Sequence, residues 1–590
     1  MALLSNFILR LFCLLLHINL SLTYSLKNCS ILYEDSPSAG VSVDCANRDL
    51  VSVPDDIPKE AVSIELRGNS IHKITEDFRG MTRLRYLGLR KSGITSVDDG
   101  CFNDLVSLET LVMRNNDLSA LTANMFQGLS NLTTLDLSSS GIYFIHRSAF
   151  RFLTSLKVLN LDYNALKTTA DIQPIFQLPQ IQTLSLRCNE LSSFESKNVL
   201  LNKSSSLQQL FISGDSLRKF SITTPIFPHL QVVELSTCLT PTKLKWYISD
   251  KTLLENITQF YVDEDAFSLK GVQNVMQNLI SLRHFKINTV VSWIKRGLLS
   301  AVCKIQSLRR LDLFHNKINN MTLKLAPCSQ LTELYLQQTN LDELTNVSYD
   351  IRSLAFLKIL HLDNNFISKL SCEDFKNTTR LVELNLNTNQ IPSLERCFAF
   401  KNSYPNKHGG LSDLKLLKSL TEAPDVDTFQ FNPHLRSLTL TNTDMSNLKP
   451  ELFRPIPNLQ RLDLTNSMLR SMGFLLQANL SALKYLKLTD NKIIMINESV
   501  WEALPSLTYL DLSYNLFTCD CSNAGFIQWV KTNKQTQVVD APQYKCSFPV
   551  SKEGTLLLDF HTQSFIQNYF HPDLSVNYKN IFFFITISFS

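Results

Sequence analysis

A pattern of spaced leucines, L-x-x-L-x-L-x-x-N, recurs from Ala61 onward and restricts the fold more than any other feature. Residues 507–515, LTYLDLSYN, are a clear copy, and about nineteen segments share this phase. Such repeats bury their leucines only by stacking on one another. The sequence therefore predicts an α/β leucine-rich repeat solenoid, a horseshoe with a parallel concave sheet and cysteine-bearing caps at both ends.

The polar position that ends each pattern sets the register of the array. The L-x-L segment predicts a short strand whose leucines point inward while the intervening side chains face the concave side. We expect the terminal Asn to satisfy backbone groups of its own turn and of the neighbouring turn, a role that Asp, Ser, Thr or Cys can also fill. The register positions, of which Val290 is an irregular member, are Asn69, Ser92, Asn116, Ser140, Asn164, Asn189, Asp215, Cys238, Asp265, Val290, Asn316, Thr339, Asn365, Asn389, Ser419, Thr443, Ser467, Asn491 and Asn515.

A second series, made of aromatic residues, supports the same register and predicts a spine under the convex side. Between residues 167 and 344 this series fades and the spacing of the repeats becomes irregular, so we expect curvature or twist to change there. The members of the series are Phe78, Phe102, Phe126, Phe150, Phe375, Phe453 and Trp501.

The two ends of the chain differ from the array. The start has a leucine-rich apolar core followed by small residues, as a secretory signal peptide has. The final apolar run, IFFFITISFS, is about half of the roughly 20 residues that a membrane helix needs. We expect a secreted chain, with a lipid anchor as the alternative and a membrane span as the least favoured reading. The predicted divisions are 1–25 signal peptide, 26–60 N-terminal cap, 61–515 repeat array, 516–565 C-terminal cap and 566–590 short tail.

Secretion gives meaning to the N-x-S/T sequons, which accept N-linked glycans in secreted proteins. We expect several of them to be glycosylated, and a glycosylated surface is a poor ligand surface. The sequons are at Asn28, Asn131, Asn202, Asn256, Asn320, Asn346, Asn377, Asn479 and Asn497.

Secretion also makes disulfides expected among the thirteen cysteines. Cys29 and Cys45 flank the entry to the array and predict a closed cap. Two further pairs are each separated by one repeat length, which places their loops side by side, and either disulfides or buried free thiols fit that spacing. A core position is favoured for two others, which lie at or beside the polar register. The spaced pairs are Cys303 with Cys328 and Cys372 with Cys397, and the core cysteines are Cys188 and Cys238.

Four segments of the chain are specific enough to indicate a family: CANRDLVSVPDDIP, LTTLDLSSSGI, LTYLDLSYNLFTCDCSNAGFIQWV and APQYKC. Through them, residues 26–565 resemble the extracellular domain of a Toll-like receptor. The segment GTLLLDFHTQSF is most similar to the fish members grouped with the rodent receptors for microbial RNA and profilin. The resemblance implies binding of microbial molecules on the solenoid, dimers whose C-terminal ends meet, and signalling through a cytoplasmic Toll/interleukin-1 receptor domain.

The C-terminal region departs from that family in two respects. The family's cap holds four cysteines in two bridges, whereas this chain has Cys519, Cys521 and Cys546, with Phe565 near the expected fourth position. One of the three is therefore expected to be unpaired and the cap to be weakened. Only the short tail follows the cap, so we expect a soluble or truncated form that does not signal, in the extracellular space or the endosomal lumen.

Basic residues cluster in the irregular middle of the array. They suggest a phosphate-contacting patch in which histidines would add charge in an acidified compartment. The alternative is a solvated face with neighbouring carboxylates. The candidate ligand-binding residues here are Arg283, His284, Lys286, Arg309, Arg310, His315 and Lys317.

The longest interval between register positions, 389–419, carries a second candidate. Lys401, Lys407 and His408 lie there with a proline and paired glycines. Some nucleic-acid-sensing Toll-like receptors carry a longer loop at about this depth, and it contributes to their ligand site. An ordinary irregular repeat with a bridged loop is the alternative.

The sequence offers no basis for catalysis. A net charge of +4 is mild for 590 residues, and charge alone does not indicate a nucleic-acid binder. We find no nucleophile elbow, zinc-protease motif, phosphate-binding glycine loop or zinc-type cysteine spacing, so no enzyme activity, cofactor or metal is predicted. The leading hypothesis is an innate immune ectodomain that binds microbial RNA, as a homodimer or with a full-length Toll-like receptor. The alternative is a secreted adhesion or matrix protein that binds another protein.

Overall fold

The computed structural model describes residues 29–33, 40–200, 205–239, 243–248, 250–263, 265–288, 291–318, 323–370, 372–375, 378–392, 394, 411–430 and 432–559. The chain divides into two compact units, residues 1–293 and residues 294–590, which we call unit 1 and unit 2.

Unit 1 is built from short strands that recur once or twice in each repeat. In chain order they are β1 Ser30–Tyr33, β2 Val41–Asp44, β3 Ala61–Glu65, β4 Lys73–Ile74, β5 Tyr86–Gly88, β6 Ser96–Val97, β7 Thr110–Val112, β8 Ala120–Leu121, β9 Thr134–Asp136, β10 Phe144–Ile145, β11 Val158–Asn160, β12 Thr183–Leu186, β13 Ser193–Glu195, β14 Gln209–Ser213, β15 Lys219–Ile222, β16 Val232–Ser236, β17 Lys245–Ile248, β18 Gln259–Asp263 and β19 His284–Asn288.

The strands of unit 1 pair in a parallel sheet that follows the order of the repeats. β1 is antiparallel to β2, and β2 is parallel to β3. From β3 the main sheet continues through β5, β7, β9, β11, β12, β14, β16, β18 and β19, each parallel to the next. Smaller parallel sheets form on the other side of the leucines, from β4 with β6, β8 with β10, and β13 with β15 and β17.

Unit 2 repeats the same plan with one strand in each repeat. Each strand is parallel to the next, from the first to the last. The strands are β20 Arg310–Asp312, β21 Glu333–Tyr335, β22 Ile359–His361, β23 Glu383–Asn385, β24 Asp413–Lys415, β25 Ser437–Thr439, β26 Arg461–Asp463, β27 Tyr485–Lys487, β28 Tyr509–Asp511 and β29 Gln537–Val538.

Helices are short and lie between the strands. In the described part of the chain, no helix has the length and apolar character that a bilayer span requires. The α-helices are α1 Thr169–Ile172, α2 Leu269–Met276, α3 Val291–Lys295, α4 Leu298–Val302, α5 Thr345–Arg352, α6 Leu475–Ala478, α7 Ser499–Ala503 and α8 Ala524–Thr532. The 3-10 helices are Gln173–Gln177, Ser196–Asn198, Lys251–Leu254, Ala326–Cys328, Cys372–Phe375, Pro450–Phe453, Cys521–Asn523, Ala541–Gln543, Val550–Lys552 and Leu557–Asp559.

The leucine positions of the repeats form the core, as the sequence predicted. At β7, Leu111 and Met113 are fully buried, whereas Thr110 and Val112 are half-buried on the opposite face. Side chains alternate along a strand, so each repeat has one face toward the core and one away from it. Full burial of a leucine contributes about 1.5–3 kcal/mol. We call the face of the main strands that points away from the leucines the open face.

Asn116 shows why the last position of the pattern is polar. Its Nδ2 donates to the carbonyl oxygens of Leu89 at 2.9 Å and Met113 at 2.7 Å. Its Oδ1 accepts from the backbone N–H groups of Ser92 at 3.1 Å and Ile94 at 3.0 Å. One amide thus satisfies backbone groups of two adjacent turns, as expected. The same four bonds recur at Asn69, Asn164, Asn365 and Asn491.

The aromatic series fades from its original repeat position in the middle of unit 1, as predicted, but aromatic residues at other positions take over the stacking. Phe194 stacks on Phe220 with ring centroids 5.4 Å apart, and Phe220 stacks on Trp246 at 5.2 Å. Phe260 and Phe285 continue the series at 6.3 Å. The first three belong to the smaller sheet of β13, β15 and β17, and the last two take leucine positions of β18 and β19. The series therefore changes position within the repeat.

Disulfides form at both ends and inside each unit. Cys29 is bonded to Cys45, as predicted for the N-terminal cap. Cys303 is bonded to Cys328 with the two Cα atoms 4.5 Å apart, so the disulfide, and not a pair of free thiols, holds these adjacent loops. The partner of Cys372 in the prediction, Cys397, lies outside the described residues.

One assignment of cysteines needs correction, and another is confirmed. Cys188 and Cys238 were expected to be core thiols, but they form a disulfide in unit 1. In the C-terminal cap, Cys519 is bonded to Cys546, and Cys521 is a free, exposed thiol. The expectation that one cap cysteine is unpaired therefore holds, and Cys521 is the one.

Candidate ligand-binding surfaces

Arg310 begins a row of interacting side chains on the open face of unit 2. Its guanidinium carbon lies 3.9 Å from the ring centroid of Tyr335 on the next strand. The same guanidinium is 3.5 Å from Glu333 and 3.8 Å from Asp312. A planar guanidinium suits both stacking and carboxylate pairing, so its charge is compensated inside the protein.

The row continues over the following strands of unit 2. The His361 ring lies 4.6 Å from the Tyr335 ring, and its Nε2 is 3.0 Å from a carboxylate oxygen of Glu383. Lys415 donates to that oxygen of Glu383 at 2.6 Å and lies 3.5 Å from Asp413. Contacts between neighbouring side chains thus run without a gap from β20 to β24.

Burial and charge shift the pKa values in this row. Burial raises the pKa of Glu383, but the bonds from Lys415 and His361 outweigh it and hold the pKa below its usual range. Burial lowers the pKa of Lys415, but the bond to Glu383 and the nearby Asp413 outweigh it, so the net shift is upward. Burial chiefly raises the pKa of Tyr335 to about 12. All three shifts favour the charge states that keep the row intact at neutral pH.

The row carries an excess of negative charge. Across β20–β24, counting each strand with the two residues after it, two permanent cations face five carboxylates. Phosphate groups would meet repulsion there. The cations are Arg310 and Lys415, and the carboxylates are Asp312, Glu333, Asp363, Glu383 and Asp413.

The structure does not bring the unit 2 members of the predicted basic patch together. Arg309 precedes β20, and its guanidinium donates to the carbonyl oxygens of Gln306 at 2.8 Å and Leu308 at 2.9 Å. His315 and Lys317 are exposed at the opposite end of the same strand. These cations therefore lie on different edges of the sheet, and only Arg310 is on the open face between them.

The unit 1 members of the patch lie on one strand. Arg283 is exposed just before β19, and His284 and Lys286 are half-buried on its open face. The His284 ring is 5.0 Å from the ring of Tyr261, and its Nδ1 is 3.3 Å from the Tyr261 hydroxyl. These three remain a predicted ligand contact. The second candidate, Lys401 with Lys407 and His408, lies outside the described residues.

Arg187 is a bridging residue of unit 1 that sequence reasoning missed. Its guanidinium donates to both carboxylate oxygens of Glu234, at 2.7 and 2.8 Å, and is 3.4 Å from Asp162. It also stacks on Phe211, whose ring centroid is 4.4 Å away. Alignment of the repeats on their register positions would have placed these residues on one face, although it could not have shown that they touch.

A stacked group near the C-terminal end of unit 2 was also missed. Tyr485 and Tyr509 have ring centroids 4.1 Å apart with planes 10° from parallel, and the Arg461 guanidinium lies 3.9 Å above Tyr485. Burial and the bond from Tyr485 raise the pKa of Tyr509 to about 12. The sequence could have indicated this group, because its three positions are one repeat apart.

The sequons whose side chains are described are all exposed, which fits their predicted use. They are Asn131, Asn256, Asn479 and Asn497. Asn346 lies near the start of α5, and its side chain is not described. The others lie outside the described residues, at Asn28, Asn202, Asn320 and Asn377.

No metal-binding cluster of three or more His, Cys, Asp or Glu side chains occurs in the part of the chain that the structure describes. The features described above are strand-borne rows of polar and aromatic side chains along a solenoid. Such extended surfaces suit the binding of another macromolecule.

A family model of the leucine rich repeat matches residues 82–142, 130–191 and 476–517. Mouse podocan is 24% identical over 407 residues, which cover 64% of this chain and 58% of podocan. Mouse podocan-like protein 1 is 27% identical over 423 residues, 70% of each chain. Human leucine-rich repeat-containing protein 3B is 35% identical over 91 residues, so the chain spans only 35% of that relative's length.

Solved structures with the same fold cover almost the whole chain. TLR13 in its complex with ssRNA13 matches with a TM-score of 0.52 and 19% identity, over 92% of this chain and 100% of that one. The mouse RP105/MD-1 complex matches with a TM-score of 0.57 and 19% identity, over 91% and 99%. At this identity the likeness shows the fold, a leucine-rich repeat solenoid of the kind found in Toll-like receptor ectodomains.

Proposed function

We propose that this chain is an innate immune recognition ectodomain that binds microbial RNA along its solenoid, outside the cell or in the endosomal lumen. The observation that carries the proposal is the shared fold with TLR13, whose solved complex contains ssRNA13, over 92% of this chain. The function is binding, not catalysis. As in the sequence-based hypothesis, the active form is a homodimer or a pair with a full-length Toll-like receptor.

The chemistry of unit 1 supports RNA as the ligand. Arg283, His284 and Lys286 provide cationic or protonatable groups at one strand, with the Tyr261 ring beside them. Cations bind phosphates, and aromatic rings stack on unpaired bases. Protonation of a histidine adds positive charge as pH falls toward that of an endosome.

The test is binding of the purified secreted chain to single-stranded and double-stranded RNA, at pH 5.5 and 7.4 across a salt series. We expect saturable binding that weakens about 1000-fold between low and moderate salt if several phosphates are contacted. Tighter binding at pH 5.5 would point to an endosomal site of action. Absence of RNA binding at low salt and both pH values would contradict the proposal.

A second function, adhesion to another protein in the extracellular matrix, is favoured by a specific observation. Podocan and podocan-like protein 1 match 64% and 70% of this chain, and the acidic open face of unit 2 suits a basic protein segment. Cell attachment to the immobilised chain, with no RNA binding in solution, would select this function over the first.

A further inference from the structure

Three arginines of unit 1 occupy the same position in three consecutive repeats. Arg67, Arg90 and Arg114 each stand two residues before a register position. The backbone fixes this alignment, because the Gly68 N–H donates to the carbonyl oxygen of Arg90 at 2.9 Å and the Lys91 N–H donates to that of Arg114 at 3.0 Å. Adjacent strands lie about 4.8 Å apart, so the three residues form a row, which we call the arginine row.

We propose that the arginine row binds the phosphate backbone of single-stranded RNA; this inference rests on the RNA-binding function proposed above. A guanidinium presents a rigid fork of donors that matches two phosphate oxygens, and it stays charged at every physiological pH. Repetition at one position per repeat offers successive contacts along an extended strand. The row was not among the sequence-predicted candidates.

Among the described residues, only one member of the arginine row has an ion-pair partner. Arg67 is 3.7 Å from Glu65. Among the described residues, none forms an ion pair or a hydrogen bond with the guanidinium group of Arg90 or Arg114. The acid on the following strand, Asp136, accepts instead from a serine hydroxyl at 2.7 Å. The charges of two arginines are therefore available to a ligand.

Glu65 is the carboxylate that lies on these strands, and neighbouring groups already contact it. Glu65 covers β5 at Gly88, where a Cβ atom would come within 2.6 Å of its Oε1. The Tyr86 hydroxyl donates to its Oε2 at 3.2 Å. Burial and Glu65 raise the pKa of Tyr86, while Arg67 and Arg114 oppose that rise, so both guanidinium groups act on the same phenol. In β3, β5 and β7, each counted with the two residues after it, three arginines face one carboxylate.

An exposed aromatic ring continues the surface two repeats further along the array. Tyr163 is 63% exposed. Tyr163 has the same position in its repeat as Lys91, and its N–H donates to the carbonyl oxygen of Arg187 at 2.7 Å in the same backbone pattern. It therefore lies two strands, about 10 Å, beyond the last arginine.

The combination of free cations and an exposed aromatic ring distinguishes the class of ligand. Single-stranded nucleic acid presents both phosphates and unpaired bases, and proteins that bind it combine basic tracks with stacking rings. In a duplex the bases are already stacked and would not use the ring. The sequon nearest in sequence, Asn131, precedes β9 and so lies at the opposite end of the strands, where a glycan would leave the row uncovered.

The experiment measures affinity of the full secreted chain for a fluorescent single-stranded oligouridylate and, separately, for heparin, at fixed moderate salt. The test variant is Arg90→Glu with Arg114→Glu. The matched control is Arg83→Glu with Arg218→Glu, which changes the net charge equally at exposed positions off the open face of the main sheet. A second test variant, Arg90→Gln with Arg114→Gln, is milder and guards against misfolding, which thermal unfolding would reveal.

We expect the charge-reversal variant to bind RNA about 100-fold more weakly and the control to change less than about 3-fold. The Gln variant should lower the slope of log affinity against log salt by about 1.4, which is two contacts at about 0.7 each. Tyr163→Ala should weaken RNA binding about 10-fold and leave heparin binding unchanged.

The outcomes separate the two proposals. If the unaltered chain binds RNA and the test variant equals the control, the arginine row is wrong while the RNA-binding function stands. If the unaltered chain does not bind RNA, the proposed function fails and takes this inference with it. Binding of heparin alone would assign the row to a sulfated polysaccharide and overturn the assignment to RNA.

Discussion

Arginine is used in opposite ways in the first repeats of unit 1 and in the first repeats of unit 2. In unit 1, Arg90 and Arg114 form no ion pair with any described residue. In unit 2, Arg310 is stacked on Tyr335 at 3.9 Å and paired with Glu333 at 3.5 Å. The same side chain is therefore a free charge in one region and an internal connection in the other.

The difference shows why a count of basic residues is a poor guide to ligand sites. A net charge of +4 is spread over 590 residues, and in the basic middle of the array Arg310 is already compensated by Asp312 and Glu333. What matters is whether a carboxylate occupies the adjacent position on a neighbouring strand. The following predictions test that distinction, beginning with the largest effect.

In unit 1, loss of an arginine that is paired with carboxylates should lower the free energy of unfolding more than loss of an arginine that has no ion pair. Arg187→Ala removes a bidentate bond to Glu234 and leaves Asp162 and Glu234 without their cation. We expect the free energy of unfolding to fall by about 2 kcal/mol. Arg90→Ala should change it by less than about 0.5 kcal/mol. Urea unfolding of both variants measures this, and equal losses would remove the distinction.

Acid should weaken the row in unit 2 through Glu383. Its pKa is held below the unfolded value of about 4.3, so the stability it contributes is present above that pH and is lost as pH falls through the folded pKa. Lys415→Met should cost about 1 kcal/mol at pH 7 and almost nothing near pH 2, where the carboxylates are protonated. Unfolding measured from pH 2 to 7 tests this; a loss that does not depend on pH would show that the ion pair is not its cause.

Removal of a carboxylate should make the open face of unit 2 more like that of unit 1. Glu333→Gln releases one partner of Arg310, which keeps its stacking on Tyr335. We expect RNA affinity to rise about 3-fold at low salt, since one repulsive charge is lost and one cation gains freedom. Tyr335→Phe is the control, because it leaves the charges unchanged. An unchanged affinity would mean that RNA does not sense this face, and a decrease would contradict the repulsion by its carboxylates.

The smallest effect concerns the phenol at the centre of that face. The pKa of Tyr335 is raised to about 12 by burial, with Arg310 opposing and Glu333 adding to the rise. In Glu333→Gln the phenol should ionise at lower pH than in the unaltered chain. Ultraviolet or NMR titration of the tyrosines would detect the change, and an unaltered titration would show that burial alone sets this pKa.

The repeat register could be predicted because it has a local cause. The leucines and the asparagine of one repeat contact the same atoms in every copy, so Asn116 and Asn491 form the same four bonds. The continuation of the aromatic spine could not be predicted, because Phe194 and Phe220 occupy another position of the repeat, on the strands of a smaller sheet.

The disulfide of Cys188 with Cys238 escaped prediction for a geometric reason. The two cysteines are 50 residues apart, two repeats, and Ser213 of the repeat between them lies 3.5 Å from the Cys238 sulfur. A spacing of one repeat length, which was the signal used for prediction, finds only pairs of cysteines in adjacent repeats.

The unit 2 members of the predicted basic patch do not come together, for a different reason. Arg309 and His315 are close in sequence, but they lie at opposite ends of β20.

Photocrosslinking of single-stranded RNA that contains 4-thiouridine, with the crosslinked peptides identified by mass spectrometry, would locate the bound RNA directly. We predict crosslinks in the peptides of residues 61–92, 110–116 and 138–164, which hold the arginine row and Tyr163, and few in residues 310–417. Crosslinks confined to residues 310–417 would contradict this prediction, because RNA would then bind the face whose cations are already paired with carboxylates.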